Sequence, residues 1–472
     1  MSFDSTTFLI FFAVVWVLQR SIRSWTVRKW ILLVASYLFY AAWSPPFVLL
    51  LWLSTAVDWG VGRALAQAQS ETTRRALVAL SIAVNLGMLG YFKYGTFLVE
   101  NVEAFLATFG VMYQAPEMSI VLPVGISFYT FQTLSYTLDI YFRRQEPWDE
   151  PLDFALYVTF FPQLVAGPIV RSNEFLPQCR QPAPFDVQRL GWGLFLVVFG
   201  LFEKSVLADT MFAPLAERIF DSPLSPDTIS AWLGTLAFTG QIYGDFAGYS
   251  TCAIGVAMCL GFALPDNFRS PYAAIGFSDF WRRWHISLST WLRDYVYIPS
   301  GGNRGGWWST QRNLMLTMLL GGLWHGASWT FVVWGGLHGL LLIVERVVRR
   351  MVPPHEVMDR PIGRIWGMLL TFAAICFTWV FFRADTLDRA LHICGAMMGL
   401  LSGERMVGLV DFSIVAPLMA AMVVGHGFMR NRTLEEVAGR LSPVGLGVII
   451  AGLLLLIFAT PGMDRAFIYF QF

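Results

Sequence analysis

The sequence predicts an all-α protein that crosses a membrane many times, and three observations carry that prediction. Only 14% of its 472 residues are charged and 56% are hydrophobic, whereas an ordinary soluble domain has roughly 25% charged residues. The apolar residues come in blocks near the length that crosses a bilayer as a helix, with none of the long alternation of an outer-membrane barrel. Lys and Arg gather between the blocks, as cytoplasmic loops require.

Taken in order, the first block is Thr7–Leu18, and Arg20, Arg23, Arg28 and Lys29 follow it. The N-terminus is therefore expected outside and that loop in the cytoplasm. A basic start and a small-residue cleavage site are both missing, so this block does not read as a cleaved signal peptide. Ile31–Trp43 leads out, Pro45 and Pro46 turn the chain, and Phe47–Val61 leads back to Arg63, Arg74 and Arg75. Ala76–Tyr91 leads out again. From Tyr94 to Phe142 there is no Lys or Arg, while Glu100, Glu103 and Glu117 fall in the first part. That predicts an outside loop near 94–119, a span near 120–141, and a return to the cytoplasm at Arg143 and Arg144.

Leu152–Val170 is apolar but contains Pro162, Gly167 and Pro168, the pattern of a broken helix lining a cavity. Spans follow near Leu190–Leu207 and Ile229–Met258, the second long enough to bend at Gly244 or Gly248. Asp245 lies inside it and needs a partner, either a hydrogen bond to backbone or Ser250, or a contact in a functional site. Phe280–Tyr295 reads as a basic, Trp-rich amphipathic helix at the membrane interface. Gly301-Gly302-Asn303-Arg304-Gly305-Gly306 is a turn or a phosphate cradle, but it matches no Walker or dinucleotide fingerprint.

Between Arg312 and Arg346 lie 33 residues, about 50 Å of helix. Two full crossings need about 60 Å plus a turn. Two short or broken helices are expected, with His325 near their bend, inside the bilayer. Trp366–Phe381, Val410–Val424 and Val444–Phe458 are later spans. The chain closes on Phe467-Ile468-Tyr469-Phe470-Gln471-Phe472, an uncharged aromatic stretch expected on the outer side. No internal repeat, low-complexity segment or soluble domain is visible.

The formal net charge of +1 gives no basic surface for nucleic acid. The five cysteines form no CxxC pair, and four lie in apolar runs as small buried hydrophobes. Of the six histidines, His355, His392 and His426 read as surface or structural residues. His338 follows His325 by thirteen residues, a helical spacing that does not pair them. His285 and His325 are each flanked by Trp beside small-residue stretches. Metal is disfavoured, because no HExxH or Cys/His cluster is present, and the Gly-x-Ser-x-Gly elbow of a serine hydrolase is absent. What remains is a histidine pair lining a polar tunnel, one acting as general base on a hydroxyl.

These motifs resemble the membrane-bound O-acyltransferase family, most closely its bacterial alginate O-acetylation subgroup. The matching stretches are Leu122–Tyr129, Phe161–Ile169, Tyr243–Ser250, the Phe280–Arg304 block and Gly321–Trp329, so the resemblance runs over nearly the whole chain. The family's catalytic histidine falls on His325 and its other histidine on His285. Ala247 stands where Ser is common and Ser300 where Leu is common; neither change touches the histidines. The resemblance implies a funnel of about 11–13 transmembrane helices plus re-entrant and interfacial helices. It would be a single transmembrane domain, with N-terminal spans over 1–120, a catalytic core over 121–350, and C-terminal spans with the aromatic tail over 351–472. No bound cofactor is implied. The donor substrate would be acetyl-CoA or another acyl thioester, approaching from the cytoplasm. The implied partners are the lipid bilayer, a periplasmic SGNH-type acetyltransferase or related acyl acceptor, and a polysaccharide synthesis and export complex. The place is the bacterial inner membrane.

In this reading His325 is the general base, and His285 positions the thioester or polarises its carbonyl. Trp324, Trp284, Arg283, Asn303 and Asp245 are further candidate contacts to donor or substrate. The tail resembles the aromatic C-terminus of the small partner protein in teichoic-acid D-alanylation. That resemblance makes Tyr469 a candidate acyl relay; the other reading is an aromatic interface anchor. A rival for the whole chain is a proton-coupled transporter or flippase of polysaccharide precursors, with the histidines as a proton relay. The inverted-repeat symmetry that would favour it is not visible. A structural scaffold would leave the two Trp-flanked histidines unexplained.

Overall fold

A computed structural model describes residues 1–116, 120–351, 360–460, 465, 467 and 468. Helices dominate, and the described residues contain no strand, only an isolated bridge between Pro226 and Glu404. Among the described residues, six helices are long and apolar enough to cross a membrane: Pro45–Gln67, Glu71–Thr108, Val187–Phe220, Trp329–Met351, Pro361–Arg383 and Leu409–Met429. Thr6–Ser21 and Pro443–Ala459 are shorter apolar helices. The chain forms two compact units, one of residues 1–194 with 253–265, the other of residues 195–252 with 266–472.

The first unit is built on Thr6–Ser21, Trp25–Ala41, Val48–Gln67, Glu71–Thr108 and Ile126–Tyr141. Ser5, Ser24 and Ser70 cap three of these helices, each accepting a backbone N–H of the first turn. Buried charges in it are paired, as burial demands. Asp58 accepts from Ser81, from Asn85 at 2.7 Å and from Thr137 at 2.7 Å. Lys29 forms a buried ion pair with Asp153, which also accepts from the Trp148 indole at 3.2 Å. Arg74 donates to the carbonyls of Leu65 and Tyr141, each at 2.8 Å. It thus serves carbonyls at two helix ends that lack intrahelical donors.

One expectation fails here and another holds. The predicted outside loop near 94–119 is helical as far as Thr108, within one 38-residue helix. Its acidic residues Glu100 and Glu103 are good helix formers and no proline interrupts the run. Leu152–Val170 is broken as expected, into Pro151–Thr159 and a short turn at Phe161–Leu164.

The second unit contains the histidines. The Phe280–Tyr295 stretch is not one interfacial helix. Phe277–Trp281 ends, His285 takes a left-handed backbone at φ 42°, and Ile286–Leu292 begins. Trp284, His285 and Leu288 are fully buried in protein, so the apolar side of this stretch faces the core. Thr228–Cys259 is one continuous helix. Gly248 marks a close neighbour there: an added Cβ would stand 2.6 Å from the carbonyl oxygen of Gly200. The helix Leu387–Met397 went unseen in the sequence, because its Asp388, Arg389 and His392 dilute the apolar signal.

Candidate active site

Gly306–His325 and Trp329–Met351 form the helical hairpin expected around His325. Neither helix is short. They have 20 and 23 residues, about 30 and 35 Å at the usual helical rise. Measuring between Arg312 and Arg346 underestimated them because both arginines lie inside the helices. The two backbones touch through glycine. A Cβ on Gly322 would lie 2.2 Å from the Phe331 carbonyl oxygen, and one on Gly335 would lie 2.3 Å from that of Met318. Gly326 is extended (φ −160°, ψ 153°) and stops the first helix at His325.

His325 therefore sits at the bend, buried among aromatic edges. Ring centroids lie at 5.0 Å for Trp324, 4.9 Å for Trp334 and 5.3 Å for Phe382. The second indole against His325 is thus Trp334 from the returning helix. Trp329, the other tryptophan close to His325 in sequence, is 54% exposed.

His285 reaches the same spot from its break between helices. Its ring centroid is 6.3 Å from that of His325, with Trp324 at 5.6 Å and Phe246 perpendicular at 4.7 Å. Asn267 orients it. The backbone N–H of Ser287 donates to Asn267 Oδ1 at 3.2 Å, as does the Ser287 hydroxyl at 2.9 Å. A backbone N–H can only donate, so that Asn267 atom is the oxygen. His285 Nδ1, 3.1 Å from it, must then carry the proton. Nε2 keeps the lone pair. In this tautomer His285 accepts a hydrogen bond or a proton; polarising a carbonyl would first require its protonation. Asn267 Nδ2 in turn donates to Ser250 Oγ at 3.2 Å.

An aromatic wall continues from His325. Trp334 lies 4.6 Å from His338, and His338 lies 5.0 Å from Trp281 and stacks on Phe280 at 6.0 Å. Trp284 sits behind, 4.8 Å from Trp379 and 5.7 Å from Phe280, so of the two Trp candidates Trp324 is the one beside both imidazoles.

The other candidates lie elsewhere. Arg283 is held by Asp279 at 3.1 Å and donates to the carbonyls of Arg269 and Arg430 at 3.1 and 2.9 Å. Arg430 also reaches Asp279 at 2.8 Å, which makes this a structural knot. Asn303 Oδ1 accepts from the Tyr297 hydroxyl at 2.6 Å and from Arg346 at 3.0 Å, closing the glycine-rich loop on the hairpin's open end. Asp245 pairs with Lys204 at 2.6 Å and accepts the backbone N–H of Ile468 at 2.7 Å. The partner it needed is a lysine and a backbone, while Ser250 serves Asn267 instead. His426 accepts the Tyr272 N–H at 3.3 Å, and His392 is exposed beside Asp388. Tyr469 and His355 lie outside the described residues.

Sequence reasoning missed Asn267, Phe246, Phe382 and Lys204. Nothing near Asn267 marks it. Lys204 was visible, because a cation inside the run Leu190–Leu207 calls for a buried anion.

A model of the membrane-bound O-acyltransferase family (MBOAT) matches residues 149–384. The probable alginate O-acetylase AlgI of Azotobacter vinelandii is 39% identical over 445 residues, covering 93% of this chain and 87% of that protein. The corresponding protein of Pseudomonas aeruginosa is 41% identical over 437 residues, covering 91% and 82%. The peptidoglycan O-acetyltransferase of Helicobacter pylori is 37% identical over 413 residues, covering 81% and 76%.

Proposed function

Because this chain belongs to the membrane-bound O-acyltransferase family and is an O-acyltransferase of a membrane, we propose that it moves an acetyl group from a cytoplasmic thioester across the inner membrane to O-acetylate an exported polysaccharide. Relatives that act on alginate and on peptidoglycan support the acetyl group and the envelope glycan. The observation that carries the chemistry is the buried imidazole pair, 6.3 Å between centroids in an aromatic wall. One acyl carbonyl can touch both rings at that spacing.

His325 takes the proton of the attacking hydroxyl as general base. The oxygen bonds to the thioester carbon, the C–S bond breaks, and the departing sulfur receives the proton from the imidazolium. His285, oriented by Asn267, lines the other side of the site and positions the thioester. Trp324 and Trp334 exclude water, so the thioester is passed on rather than hydrolysed. The donor is acetyl-CoA or another acyl thioester. The group passes on to a periplasmic SGNH-type acetyltransferase or related acceptor working with the synthesis and export complex. By the tail's resemblance to the small partner protein of teichoic-acid D-alanylation, Tyr469 is the first acceptor hydroxyl on this route, and a Tyr469→Phe protein should lose transfer.

Transfer of labelled acetyl by membranes containing His325→Ala tests the mechanism. Loss of about 10²–10⁴-fold is expected for removal of a general base. Undiminished transfer by a variant that inserts normally overturns it.

A further inference from the structure

We propose that Asp245 is a positioning residue that docks the chain's own C-terminal tail beside the histidine pair, with Lys204 holding its carboxylate in place. This rests on the acyltransferase reading for its purpose, but not for its geometry.

The construction begins in the backbone. Residues Phe202–Phe212 adopt a π-helix between Val187–Leu201 and Ala213–Phe220. Such bulges reorient side chains out of the regular helical register and are frequent at functional sites. Glycines let this segment lie directly on the Thr228–Cys259 helix. A Cβ on Gly200 would stand 2.4 Å from the Gly248 oxygen, and one on Gly244 would stand 2.9 Å from that of Glu203. That approach places the Lys204 ammonium 2.6 Å from Asp245 and 2.9 Å from Asp209, with all three side chains at most 6% exposed.

One lysine faces two carboxylates, and a buried carboxylate needs donors for both oxygens. Asp245 Oδ1 faces Lys204. Its Oδ2 accepts the backbone N–H of Ile468 at 2.7 Å. Lys204 also reaches the carbonyl oxygen of Arg465 at 3.5 Å, and the Arg465 guanidinium lies 2.9 Å from Glu217. Between these anchors, Phe467 is buried 5.7 Å from Phe246 and 4.8 Å from Tyr249. Phe246 is the ring set perpendicular to His285 at 4.7 Å. The tail is thus gripped by its backbone at Arg465 and Ile468, and its intervening ring abuts the wall of the site. The backbone contacts hold the segment, and the Phe467 ring seated against Phe246 and Tyr249 fixes its register.

Two substitutions separate docking from mere support of the fold. Asp245→Leu removes the acceptor of the Ile468 N–H yet leaves Lys204 paired with Asp209. Asp209→Leu removes the same charge from the same cluster yet leaves Lys204 paired with Asp245 and the acceptor in place. Purified full-length proteins in detergent micelles would be treated with trypsin, and release of the peptide 466–472 followed by mass spectrometry. Asp245→Leu should release it at least ten times faster than either the parent protein or Asp209→Leu. Equal release by both variants, or protection kept in Asp245→Leu, overturns the proposal. In acyl transfer, Asp245→Leu should fall at least tenfold in kcat with KM for the thioester unchanged, to the level of a protein ending at residue 464. Combining the two changes should cost nothing more. Additive losses, or a risen KM alone, would make Asp245 something other than the tail's anchor. If the parent protein proves to transfer no acetyl, the release experiment still decides the docking.

Discussion

His285 shows what a single neighbour does for an imidazole. Its ring alone would present either tautomer, and the Asn267 oxygen, identified by the Ser287 N–H, selects one. Replacing Asn267 with Ala removes the acceptor of three donors at once. The expected cost is about 1–3 kcal/mol of stability for buried donors left unpaired. Transfer should also fall by at least about tenfold, since an imidazole that lacks its orienting group loses its fixed tautomer. Thermal unfolding in detergent and steady-state transfer measure the two effects separately, and the prediction is that kcat falls more than KM rises. Much of the residue scale was legible in advance. His285 and His325 stood out by their tryptophan flanks, and the fold brings them together across 40 positions. The basic residues misled in part: Lys29 and Arg74 counted as loop charges, yet both are buried in polar networks. Local sequence records that a cation is present but not which carbonyl or carboxylate it will meet.

The helical hairpin is the element on which the site depends. His325 is the last residue of its helix because Gly326 is extended, and Trp334 reaches it because the returning helix passes within backbone contact. Gly335→Leu should therefore act at a distance. Its first side-chain carbon would collide with the Met318 carbonyl, a group that cannot swing aside. Overpacking of this sort costs about 1–3 kcal/mol. Here it should also separate Trp334 from His325 and lower transfer, whereas Gly336→Ala, whose Cβ meets only the Leu319 side chain at 3.6 Å, should do neither. The existence of this hairpin was readable from the glycines and the spacing of basic residues. Its length was not, because Arg312 and Arg346 lie within the helices rather than at their ends.

At the scale of the molecule, each unit carries its own buried polar chemistry, and the imidazoles belong wholly to the second. The first unit relies on pairs such as Lys29 with Asp153. Lys29→Met should cost about 3–5 kcal/mol, since it strands a buried carboxylate, and Lys29→Met with Asp153→Leu should recover much of that. Thermal unfolding and yield should track these changes, while transfer per folded molecule stays constant. All-helical character and multiple crossings followed from composition and block length alone. The arrangement of the site did not, because it is made by breaks: the left-handed backbone at His285, the extended Gly326 and the π-helix that delivers Lys204. Periodicity reports regular structure and is silent where regularity stops.

The docked tail has a kinetic consequence. Only seven residues separate Ala459, the end of the last described helix, from Phe467. A group on so short a tether presents itself at an effective concentration in the millimolar range, whatever the amount of protein in the cell. A tail acting as acceptor would saturate the site at every turnover, so the rate would depend on donor supply and on onward transfer, never on meeting a partner. The same tether sets a threshold for inhibitors. A compound aimed at the surface beside Phe246 competes with an occupant that dilution cannot remove, and its apparent affinity falls accordingly.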